Sequence, residues 1–334
     1  MAAITQADGV FQGGGVKGLA LVGALLGFAD HGEIAIEEWV NVAGTSAGAI
    51  IAAYLATGHG PRDLEALLRN IPYKDFEDWG PGGEIAGGAW NLARHHGLAH
   101  GEFFRHWFDE KLDGATFASV KRADDTPDKA DDPYRLRMIA SDVTQQQMLV
   151  LPADLAKYKL PGTDQPIVPD DFKIADAARM SMSIPFFFQP VLLQSVDSGT
   201  ICTIVDGGVL SNFPVWLFDV DRPVTRPTFG FHLTGGKGIG GGLELFVKAF
   251  GWPVQLGTEM FRTANEAWDK RFTSNSTLVR TCSVSAGDVA TTDFQLDEAG
   301  QQALIEGGKD AAKTFLDDFQ IESYVNTFGQ KLAG

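Results

Sequence analysis

The stretch EEWVNVAGTSAGAIIAAYLATG, residues 37–58, joins a predicted strand to a predicted helix without a loop between them. Its first part is apolar enough for a buried strand, and the apolar run at its end predicts a helix. The junction, Gly44-Thr45-Ser46-Ala47-Gly48, fits the pattern G-x-S-x-G. Small residues flank the serine in this pattern because the tight turn leaves no room for side chains, and the serine oxygen stands clear at the carboxyl edge of the sheet. The stretch therefore predicts a nucleophilic serine at position 46.

A glycine-rich turn precedes this stretch, in VFQGGGVKGLALVG at residues 10–23. Its glycines at 13, 15 and 18 fit G-x-G-x-x-G, which is typical of dinucleotide-binding folds. A phosphate-binding P-loop is excluded, because it needs a lysine directly after its last glycine and Leu19 stands there. A dinucleotide-binding fold needs an acidic residue at the end of its second strand, whereas Glu37 and Glu38 open that strand. A non-catalytic dinucleotide-binding module is therefore an alternative of another class.

The same turn also suits the chemistry of a serine nucleophile. Acyl transfer needs hydrogen-bond donors for the negative charge that develops on the substrate oxygen. Consecutive glycines at a helix N-terminus offer bare backbone N–H groups, and the helix dipole supports them. If the first two strands are neighbours, as consecutive elements commonly are, Gly13, Gly14 and Gly15 can form an oxyanion hole beside Ser46.

The order of the predicted elements defines the fold class. Strand–turn–helix units at the N-terminus indicate an α/β protein, a three-layer α/β/α fold with a mainly parallel central sheet. No linker divides the chain, so we predict a single domain over residues 1–334, with the motifs between about 8 and 233. A helical extension follows over about 235–334, with helical stretches near 241–270 and 298–331 around an edge strand at 277–283.

Composition and charge exclude several classes of protein. The net charge of −16 and the absence of a basic stripe argue against a nucleic-acid polymer as partner. Cys202 and Cys282 are the only cysteines and lie far apart, so we expect neither a disulfide scaffold nor a metal site, and no cofactor. The N-terminus lacks the features of a signal peptide, and no run of 18 apolar residues predicts a membrane span. The protein is therefore expected to be cytoplasmic.

A serine hydroxyl needs a base, and two residues compete for that role. His232 follows Asp206 and so fits the chain order Ser–Asp–His of α/β-hydrolase triads, but its alternating surroundings fit the interior of a strand better. Asp206, in VDGG, ends a predicted strand and shares a sheet edge with Ser46 if the two strands are parallel. A carboxylate that acts alone needs its pKa raised by burial. Asp-Gly pairs are also common in hairpin turns, so the residues alone leave the base open.

With these residues in place, the sequence resembles the patatin-like phospholipase family over about residues 8–233. The segments ARMSMSIPFFFQPV (178–191) and IASDV (139–143) contribute to the resemblance. Three motifs in the family's order carry it: Gly13-Gly14-Gly15-Val16-Lys17-Gly18, Gly44-Thr45-Ser46-Ala47-Gly48, and Asp206-Gly207-Gly208 followed by Asn212 and Pro214. Each motif alone is unspecific, but the three together in this order are specific.

The resemblance implies a Ser46–Asp206 dyad without histidine, with the backbone of Gly13–Gly15 as the oxyanion hole and no metal in the chemical step. It implies hydrolysis of fatty-acyl esters in phospholipids or other lipids, of the phospholipase A or lysophospholipase type, through an acyl-enzyme. Residues expected to support the motifs are Lys17, Gly18, Gly44, Gly48, Gly207 and Gly208. Residues expected to bind substrate are Ser181, Pro185, Phe186 and Asn212.

Departures from the family and competing activities leave further alternatives. Gln12 stands where many members have aspartate, which predicts an altered contact in the glycine turn. Lys17 is expected either at the surface or holding the oxyanion turn or a lipid headgroup. An acyltransferase, or an esterase with a Ser-Asp-His triad that uses His232, shares the same serine chemistry. Bacterial members of the family include toxins and antiphage effectors activated by cyclic nucleotides; these residues show no such control, and a small-molecule activator or a homo-oligomer stays open.

Contact with a membrane surface has to come from apolar groups, because the chain is negatively charged overall. The run Phe186–Phe188 and the glycine-rich segment 78–101, with Trp79 and Trp90, are candidates for an apolar rim around the site. Phe186–Phe188 also fit a buried core beneath the dyad. The sequence therefore predicts a phospholipid or other acyl-lipid substrate and peripheral contact with the membrane.

Overall fold

The described part of the chain contains all three sequence motifs. In the computed structural model it comprises residues 4–32, 34–72, 97–122, 133–219, 226–235, 256–257, 259–260, 263, 275–291, 293 and 296–329. Trp79 and Trp90, the candidates for an apolar rim around the site, lie outside the described residues. The helical stretch expected near 241–270 also lies outside them, apart from a few positions between 256 and 263.

A nine-stranded sheet forms the centre of the described residues. The described residues contain eleven strands, nine of which belong to this sheet: β1 (Gln6–Phe11), β2 (Glu38–Thr45), β3 (Gly97–Ala99), β4 (Leu136–Asp142), β5 (Gln147–Leu151), β6 (Tyr158–Lys159), β7 (Phe186–Phe188), β8 (Val191–Ser195), β9 (Ile201–Asp206), β10 (Thr228–Thr234) and β11 (Thr281–Ser285). The order in the sheet is β11-β10-β1-β2-β4-β9-β8-β6, with β5 paired to β4. β3 and β7 form a separate two-stranded sheet.

The strands that carry the glycine turn and the serine belong to the parallel part of the sheet. β11, β10, β1, β2 and β4 run in one direction, and β4 is buried along its whole length, as is typical of parallel strands covered on both faces. The register places Phe11 of β1 beside Gly44 of β2. The turns that follow these two strands are therefore neighbours at the carboxyl edge, and the predicted α/β fold with its mainly parallel centre is confirmed.

The other part of the sheet is antiparallel. β9 runs antiparallel to both β4 and β8, β8 runs antiparallel to β6, and β5 folds back on β4. Because β4 is parallel to β2, the strand that carries Asp206 is antiparallel to the strand that carries Ser46. The sequence predicts that Asp206 shares a sheet edge with Ser46 if their two strands are parallel. The strands are antiparallel, so this condition is not met and another feature of the fold brings the two residues together.

Helices cover the sheet. They are α1 (Gly18–Asp30), α2 (Ala47–Ala56), α3 (Pro61–Arg69), α4 (Glu102–Lys111), α5 (Ile174–Ser181), α6 (Asn275–Leu278), α7 (Glu298–Asp318) and α8 (Ile321–Tyr324). α1 and α2 are apolar nearly all round and almost entirely buried, as expected for helices enclosed by other elements. Among the described residues, no helix combines the length and the apolar character needed to cross a membrane.

Apolar cores lie on both faces of the sheet. The larger core joins α1, α2, α5 and α7 to one face. The smaller core lies on the opposite face, where Ile139 of β4 packs with Phe213 and Phe218 around a 3₁₀ turn at Val215–Phe218. Residues that alternate along β4 therefore contact different cores.

The segment after residue 235 adds to the same sheet and core. β11 pairs in parallel with β10 as an edge strand, close to the predicted strand at 277–283. α7 packs so closely on α1 that a Cβ at Gly23 would clash with the carbonyl of Ile305, and one at Gly308 with the carbonyl of Ala20. The C-terminal segment is thus not purely helical, since it supplies a strand as well as a helix.

Candidate active site

Ser46 lies on a tight turn between β2 and α2. Its backbone has φ 54° and ψ −123°, a conformation that residues with a Cβ rarely adopt and that costs about 1–3 kcal/mol. Its carbonyl oxygen accepts the N–H of Ala49 at 2.9 Å, which begins the helix. Ser46 is 7% exposed. The turn therefore holds the hydroxyl just beyond the end of β2, at the N-terminus of α2.

The two glycines of the G-x-S-x-G pattern are required by close backbone contacts. A Cβ at Gly44 would clash with the carbonyl group of Gly48, on the other side of the turn. A Cβ at Gly48 would clash with the carbonyl group of Phe11, at the end of β1. The turn is therefore packed directly against the strand that leads into the glycine turn.

Asp206 ends β9 as a buried carboxylate, 1% exposed. Burial raises its pKa to about 7, against the opposing effects of the Gly208 N–H and the Ser46 hydroxyl. Oδ1 accepts the Gly208 N–H at 2.7 Å, whereas Oδ2 accepts no hydrogen bond of normal geometry within the described residues. The Ser46 hydroxyl thus lies close enough to affect the pKa of the carboxylate, although no hydrogen bond of normal geometry joins the two side chains.

The antiparallel pairing of β9 determines where Asp206 lies. β9 enters from the carboxyl edge of the sheet and ends where Asp206 pairs with Ala140 of β4. The preceding residue of β4, Ile139, pairs with Thr45 of β2. Thr45 and Asp206 thus pair with consecutive residues of β4, so Asp206 lies at nearly the same height as the elbow. Gly207 then starts a 3₁₀ turn instead of a hairpin, and a Cβ there would clash with the carbonyl of Ile139.

The glycine turn lies directly against Ser46 and is held by Asn212. The Gly13 N–H donates to the Asn212 carbonyl at 3.1 Å, and the Asn212 amide Nδ2 donates to the Gly13 carbonyl at 3.1 Å. A Cβ at Gly13 would lie 3.1 Å from Ser46 Cβ. Within the described residues, the N–H groups of Gly14 and Gly15 make no hydrogen bond. Two backbone donors are therefore left available next to the serine.

Ser181 supports the elbow from behind. It is fully buried at the end of α5, and its Oγ accepts the Ser46 N–H at 3.0 Å while donating to the Ile139 carbonyl at 2.7 Å. Thr45 Oγ1 donates to the Ser211 carbonyl at 3.0 Å and so ties the elbow to the loop that carries Asn212. The hydroxyl of Ser181 is thus used within the protein, next to the nucleophile candidate.

Two supporting contacts were not anticipated from the sequence. The carbonyl of Ser183 accepts the Asp206 N–H at 2.9 Å, which fixes the backbone of the candidate base. Gln12 Oε1 accepts the Leu233 N–H at 2.5 Å and joins the glycine turn to β10. Ser183 lies in the segment 178–191 that contributes to the family resemblance, but a contact through a backbone carbonyl leaves no signal in a side-chain pattern. An altered contact of Gln12 in the glycine turn is expected from the sequence, but its partner in β10 is not.

The remaining motif residues line the start of α1. Lys17 is 9% exposed. It therefore does not lie at the surface, which is one of the two positions expected for it from the sequence. It ends a 3₁₀ turn, Gly15–Lys17, that leads into α1 at Gly18. A Cβ at Gly18 would make only ordinary contact with Ala47, 3.6 Å away. Gly15 has φ 57°, and a Cβ there would clash with the carbonyl of Thr291.

The phenylalanine run is divided between the core and a half-buried position. Phe187 and Phe188 are buried, as the core interpretation predicts. Pro185 and Phe186 are half-buried, and Phe186 has φ 71°, which is rare for an aromatic residue. Phe186 begins β7, which pairs in parallel with β3 so that Phe186 lies beside Gly97. Phe186 thus lies under backbone strain, five residues after the end of α5.

His232 is not part of the Ser46–Asp206 pair. It lies in β10, two strands away from β2, and its ring packs edge-on against Phe213 with centroids 5.2 Å apart. Burial lowers its pKa, and no hydrogen bond reaches its ring from the described residues. The described residues also contain no group of three or more histidine, cysteine or acidic side chains placed to hold a metal ion.

The fold and the site together define an α/β protein with a serine elbow, a glycine turn and a buried aspartate in contact at the centre of one sheet. The chain matches the family described as patatin-like phospholipase over residues 9–219, and the protein belongs to this family. The resemblance inferred from the sequence is thereby confirmed. Membership of a phospholipase family indicates a hydrolase that acts on lipid acyl groups.

Relatives extend the likeness over nearly the whole chain. YqhO of Bacillus subtilis (strain 168) is 36% identical over 330 residues, which is 92% of this chain and 97% of its own. R571 of Acanthamoeba polyphaga mimivirus is 22% identical over 313 residues, 90% of this chain and 91% of its own. The crystal structure of VipD from Legionella pneumophila is similar with a TM-score of 0.56 and 15% identity, over 95% of this chain and 67% of VipD. At that identity the likeness concerns the fold alone.

Proposed function

We propose that the protein is a lipid acyl hydrolase of the phospholipase A or lysophospholipase type, with Ser46 as nucleophile and Asp206 as its base. The observation that carries the proposal is the buried carboxylate of Asp206, whose pKa is raised to about 7 beside a serine hydroxyl on a strained turn. An ordinary carboxylate, with a pKa of about 4, is a poor base for a serine at neutral pH. A carboxylate with a pKa near the working pH is matched to proton transfer.

The first half-reaction forms an ester between the acyl group and Ser46. Oγ of Ser46 attacks the ester carbonyl carbon of the lipid while its proton passes to Asp206, whose Oδ2 has no other hydrogen bond among the described residues. The carbonyl oxygen carries a negative charge in the tetrahedral intermediate. When the intermediate collapses, the C–O bond to the alcohol breaks and the leaving alcohol takes the proton from Asp206. The acyl group remains on Ser46.

We assign the oxyanion hole to the N–H groups of Gly14 and Gly15. The sequence predicts an oxyanion hole formed by Gly13–Gly15. Of these three residues, Gly13 is least able to donate to a substrate oxygen, because its N–H already donates to the Asn212 carbonyl. The 3₁₀ turn and α1 follow directly, and their N-terminal dipole favours negative charge at this point. Each such donor is worth on the order of 10²–10³ in kcat in known hydrolases.

The second half-reaction releases the fatty acid. A water molecule gives its proton to Asp206 and attacks the acyl carbon, and the second tetrahedral intermediate collapses to free acid as the proton returns to Ser46. An acceptor alcohol in place of water would transfer the acyl group instead. Product analysis therefore separates hydrolase from acyltransferase.

Ser181 and Asn212 are proposed to position the site instead of binding substrate. Ser181 holds the Ser46 N–H and the Ile139 carbonyl through one buried hydroxyl. Asn212 holds the N–H and the carbonyl of Gly13 and so fixes the glycine turn beside the serine. Contact with the acyl chain is assigned to Pro185 and Phe186, which are half-buried, and backbone strain of the kind seen at Phe186 is concentrated at functional sites.

A panel of lipids tests the proposal. The wild type, Ser46→Ala and Asp206→Ala are incubated with phospholipids and lysophospholipids, and released fatty acid is measured by mass spectrometry. We expect release by the wild type and a loss of at least about 10³-fold in both variants. His232→Ala is the matched control and should keep wild-type activity. Wild-type rates in Asp206→Ala, or a similarly large loss in His232→Ala, would contradict the dyad.

A further inference from the structure

Four exposed apolar side chains lie on the antiparallel part of the sheet. Val143, Leu192, Val196 and Ile201 are between 41% and 49% exposed. They belong to two hairpins, the turn after β4 and the turn between β8 and β9. Isolated exposed apolar residues are normal, so their arrangement decides whether they form a surface.

The register places these side chains on one face. Leu192 pairs with Thr203, and Val143 continues the same row because its N–H donates to the Thr203 carbonyl at 3.1 Å. Ile201 pairs with Gln194, two residues further along β8. Val196 lies two residues beyond Gln194 and continues the ladder, since its N–H donates to the Lys157 carbonyl at 3.0 Å. Since side chains alternate along a strand, all of these point to the same side. We call Val143, Leu192, Val196 and Ile201 the hairpin face.

The centre of the hairpin face carries no charge, and two lysines border it: Lys159 of β6 pairs with Gln194, and the Lys157 carbonyl accepts the Val196 N–H at 3.0 Å. Residues 143–153 contain no charged side chain, and residues 180–205 contain one, Asp197, in a chain that is 21% charged. The polar residues between the apolar ones, Gln194 and Thr203, are neutral. A surface of this kind suits apolar matter at its centre, since its lysines stand only at the border, on the side of β6.

The hairpin face lies at the carboxyl edge of the sheet, the edge that also carries the candidate site. β4 runs from Ile139, level with Thr45, toward the carboxyl edge and reaches Val143 four residues later, a rise of about 13 Å. The hairpin turn at 196–200 projects beyond the same edge, since β9 enters the sheet there. The elbow that carries Ser46 ends a strand at this edge as well.

We propose that the hairpin face docks on the surface of a neutral phospholipid layer and brings the candidate site close to its substrate. The purpose of this docking rests on the proposed function, but the docking itself does not. Four half-exposed side chains offer only a few hundred Å², well short of the roughly 1,600 Å² of a stable protein interface. Apolar side chains that enter the interfacial region of a lipid layer need no matching partner surface. A lipid layer therefore fits this face better than a second protein chain.

Vesicle flotation tests the docking directly. The probe is unilamellar vesicles of pure phosphatidylcholine, and the variant is Leu192→Gln with Ile201→Thr, which keeps the strand. The matched control is Leu278→Gln with Val325→Thr, which are 55% and 49% exposed at the opposite end of the strand order. We expect the apparent Kd of the hairpin-face variant to rise about tenfold while the control binds as the wild type does. Equal binding by both variants, or equal loss, would overturn the proposal.

A fluorescent label reports which face enters the lipid. Cys202 and Cys282 are buried and burial raises the pKa of their thiols to about 11 and about 12, so an added surface cysteine can be labelled selectively. A polarity-sensitive dye on Val196→Cys should shift to the blue with phosphatidylcholine vesicles, whereas the same dye on Val325→Cys should not. A shift at both positions or at neither contradicts docking through the hairpin face.

Two further measurements separate this proposal from others. Ser46→Ala should float with vesicles as the wild type does, and the hairpin-face variant should hydrolyse a short-chain soluble ester at the wild-type rate. A wild type that binds vesicles but hydrolyses no ester would contradict the proposed function and leave the docking intact. Light scattering gives the oligomeric state: a wild-type dimer that the hairpin-face variant converts to a monomer would show that a second copy, not lipid, covers this face.

Discussion

The buried carboxyl of Asp206 costs stability, and the same burial suits it to its proposed role as a base. Burial raises the pKa of Asp206 to about 7, although the Gly208 N–H and the Ser46 hydroxyl stabilise the charged carboxylate and so act in the opposite direction. An unfolded chain exposes the same carboxyl to water, where its pKa is about 3.9. Between these two pKa values the folded protein holds a proton that the unfolded chain releases. The carboxyl therefore has a pKa suited to its proposed role as a base near neutral pH, and its burial lowers the free energy of unfolding increasingly from about pH 4 to about pH 7.

The pH dependence of activity follows from this pKa. As the base, Asp206 must be ionised before it accepts the proton of Ser46, so kcat/KM for a soluble ester should rise with pH and level off above about 7. The measurement is an initial-rate profile from about pH 5 to pH 9. A profile already level at pH 5 would mean that the base has an ordinary carboxyl pKa, in contradiction to the assigned role.

Replacement of the buried charge should stabilise the fold. Asp206→Asn removes the cost of burying an anion, so its free energy of unfolding should exceed that of the wild type by up to about 4 kcal/mol above pH 7. The gain should shrink as the pH falls from 7 and vanish near pH 4, where both states of the wild type are protonated. Activity should fall at least about 10³-fold. Denaturant unfolding at several pH values measures the gain.

Asp142 provides the matched control for this stability measurement. It is also buried in the sheet, but its carboxylate accepts hydrogen bonds from the N–H groups of Thr144 and Gln145 and from the hydroxyl of Tyr158. Asp142→Asn replaces one acceptor oxygen by a donor and should destabilise the protein by about 1–3 kcal/mol. Stabilisation by both substitutions, or by neither, would contradict the account of Asp206.

At the level of elements, the elbow between β2 and α2 depends on a helix that is distant in sequence. Ser181, at the end of α5, is 135 residues from Ser46 and accepts its N–H. Because Ser46 is strained, the elbow needs contacts that hold it in place. α5 thus contributes to the geometry of the nucleophile without contact with the reacting atoms.

Loss of the Ser181 hydroxyl should reduce turnover more than substrate affinity. Ser181→Ala leaves the Ser46 N–H and the Ile139 carbonyl without their partner, so kcat should fall about tenfold with KM little changed. Ser119→Ala is the control, since Ser119 is exposed and donates to the carbonyl of Thr116 in another turn. Steady-state kinetics measure both. A change confined to KM would instead indicate that Ser181 binds substrate.

The sequence predicts local parts of this arrangement well and long-range parts poorly. The elbow at Ser46 and the glycine turn at Gly13 each depend on adjacent residues, and both have the predicted context of strand, turn and helix. The direction of β9 depends on pairing between Ala140 and Asp206, which are 66 residues apart, and no local pattern specifies it. The contact from Asn212 to Gly13 is longer in range still, with 199 residues between them.

On the scale of the whole molecule, the C-terminal segment completes the core that holds the site. α7 crosses α1 through glycines, so that the two backbones touch, and β11 extends the sheet beside β10. α1 begins directly after the glycine turn. The position of the proposed oxyanion hole is therefore coupled to the packing of a helix that lies outside the matched family region of residues 9–219.

Two adjacent glycines of α7 should respond in opposite ways to the same substitution. A Cβ at Gly308 would clash with the carbonyl of Ala20, so Gly308→Ala should destabilise the fold by about 1–3 kcal/mol. A Cβ at Gly307 meets nothing within 4 Å, so Gly307→Ala should stabilise the helix by about 0.5–1 kcal/mol. Thermal unfolding compares the two. The same sign for both would show that α7 does not pack on α1 as described.

The most direct test of the dyad is the covalent labelling of the protein by a fluorophosphonate, with the modified peptide identified by mass spectrometry. The account predicts a single modification, on Ser46, with a rate that falls at least about 10²-fold in Asp206→Asn because the hydroxyl loses its base. Labelling of another residue, or labelling of Ser46 at an unchanged rate in Asp206→Asn, would contradict the claim that these two side chains act as one catalytic pair.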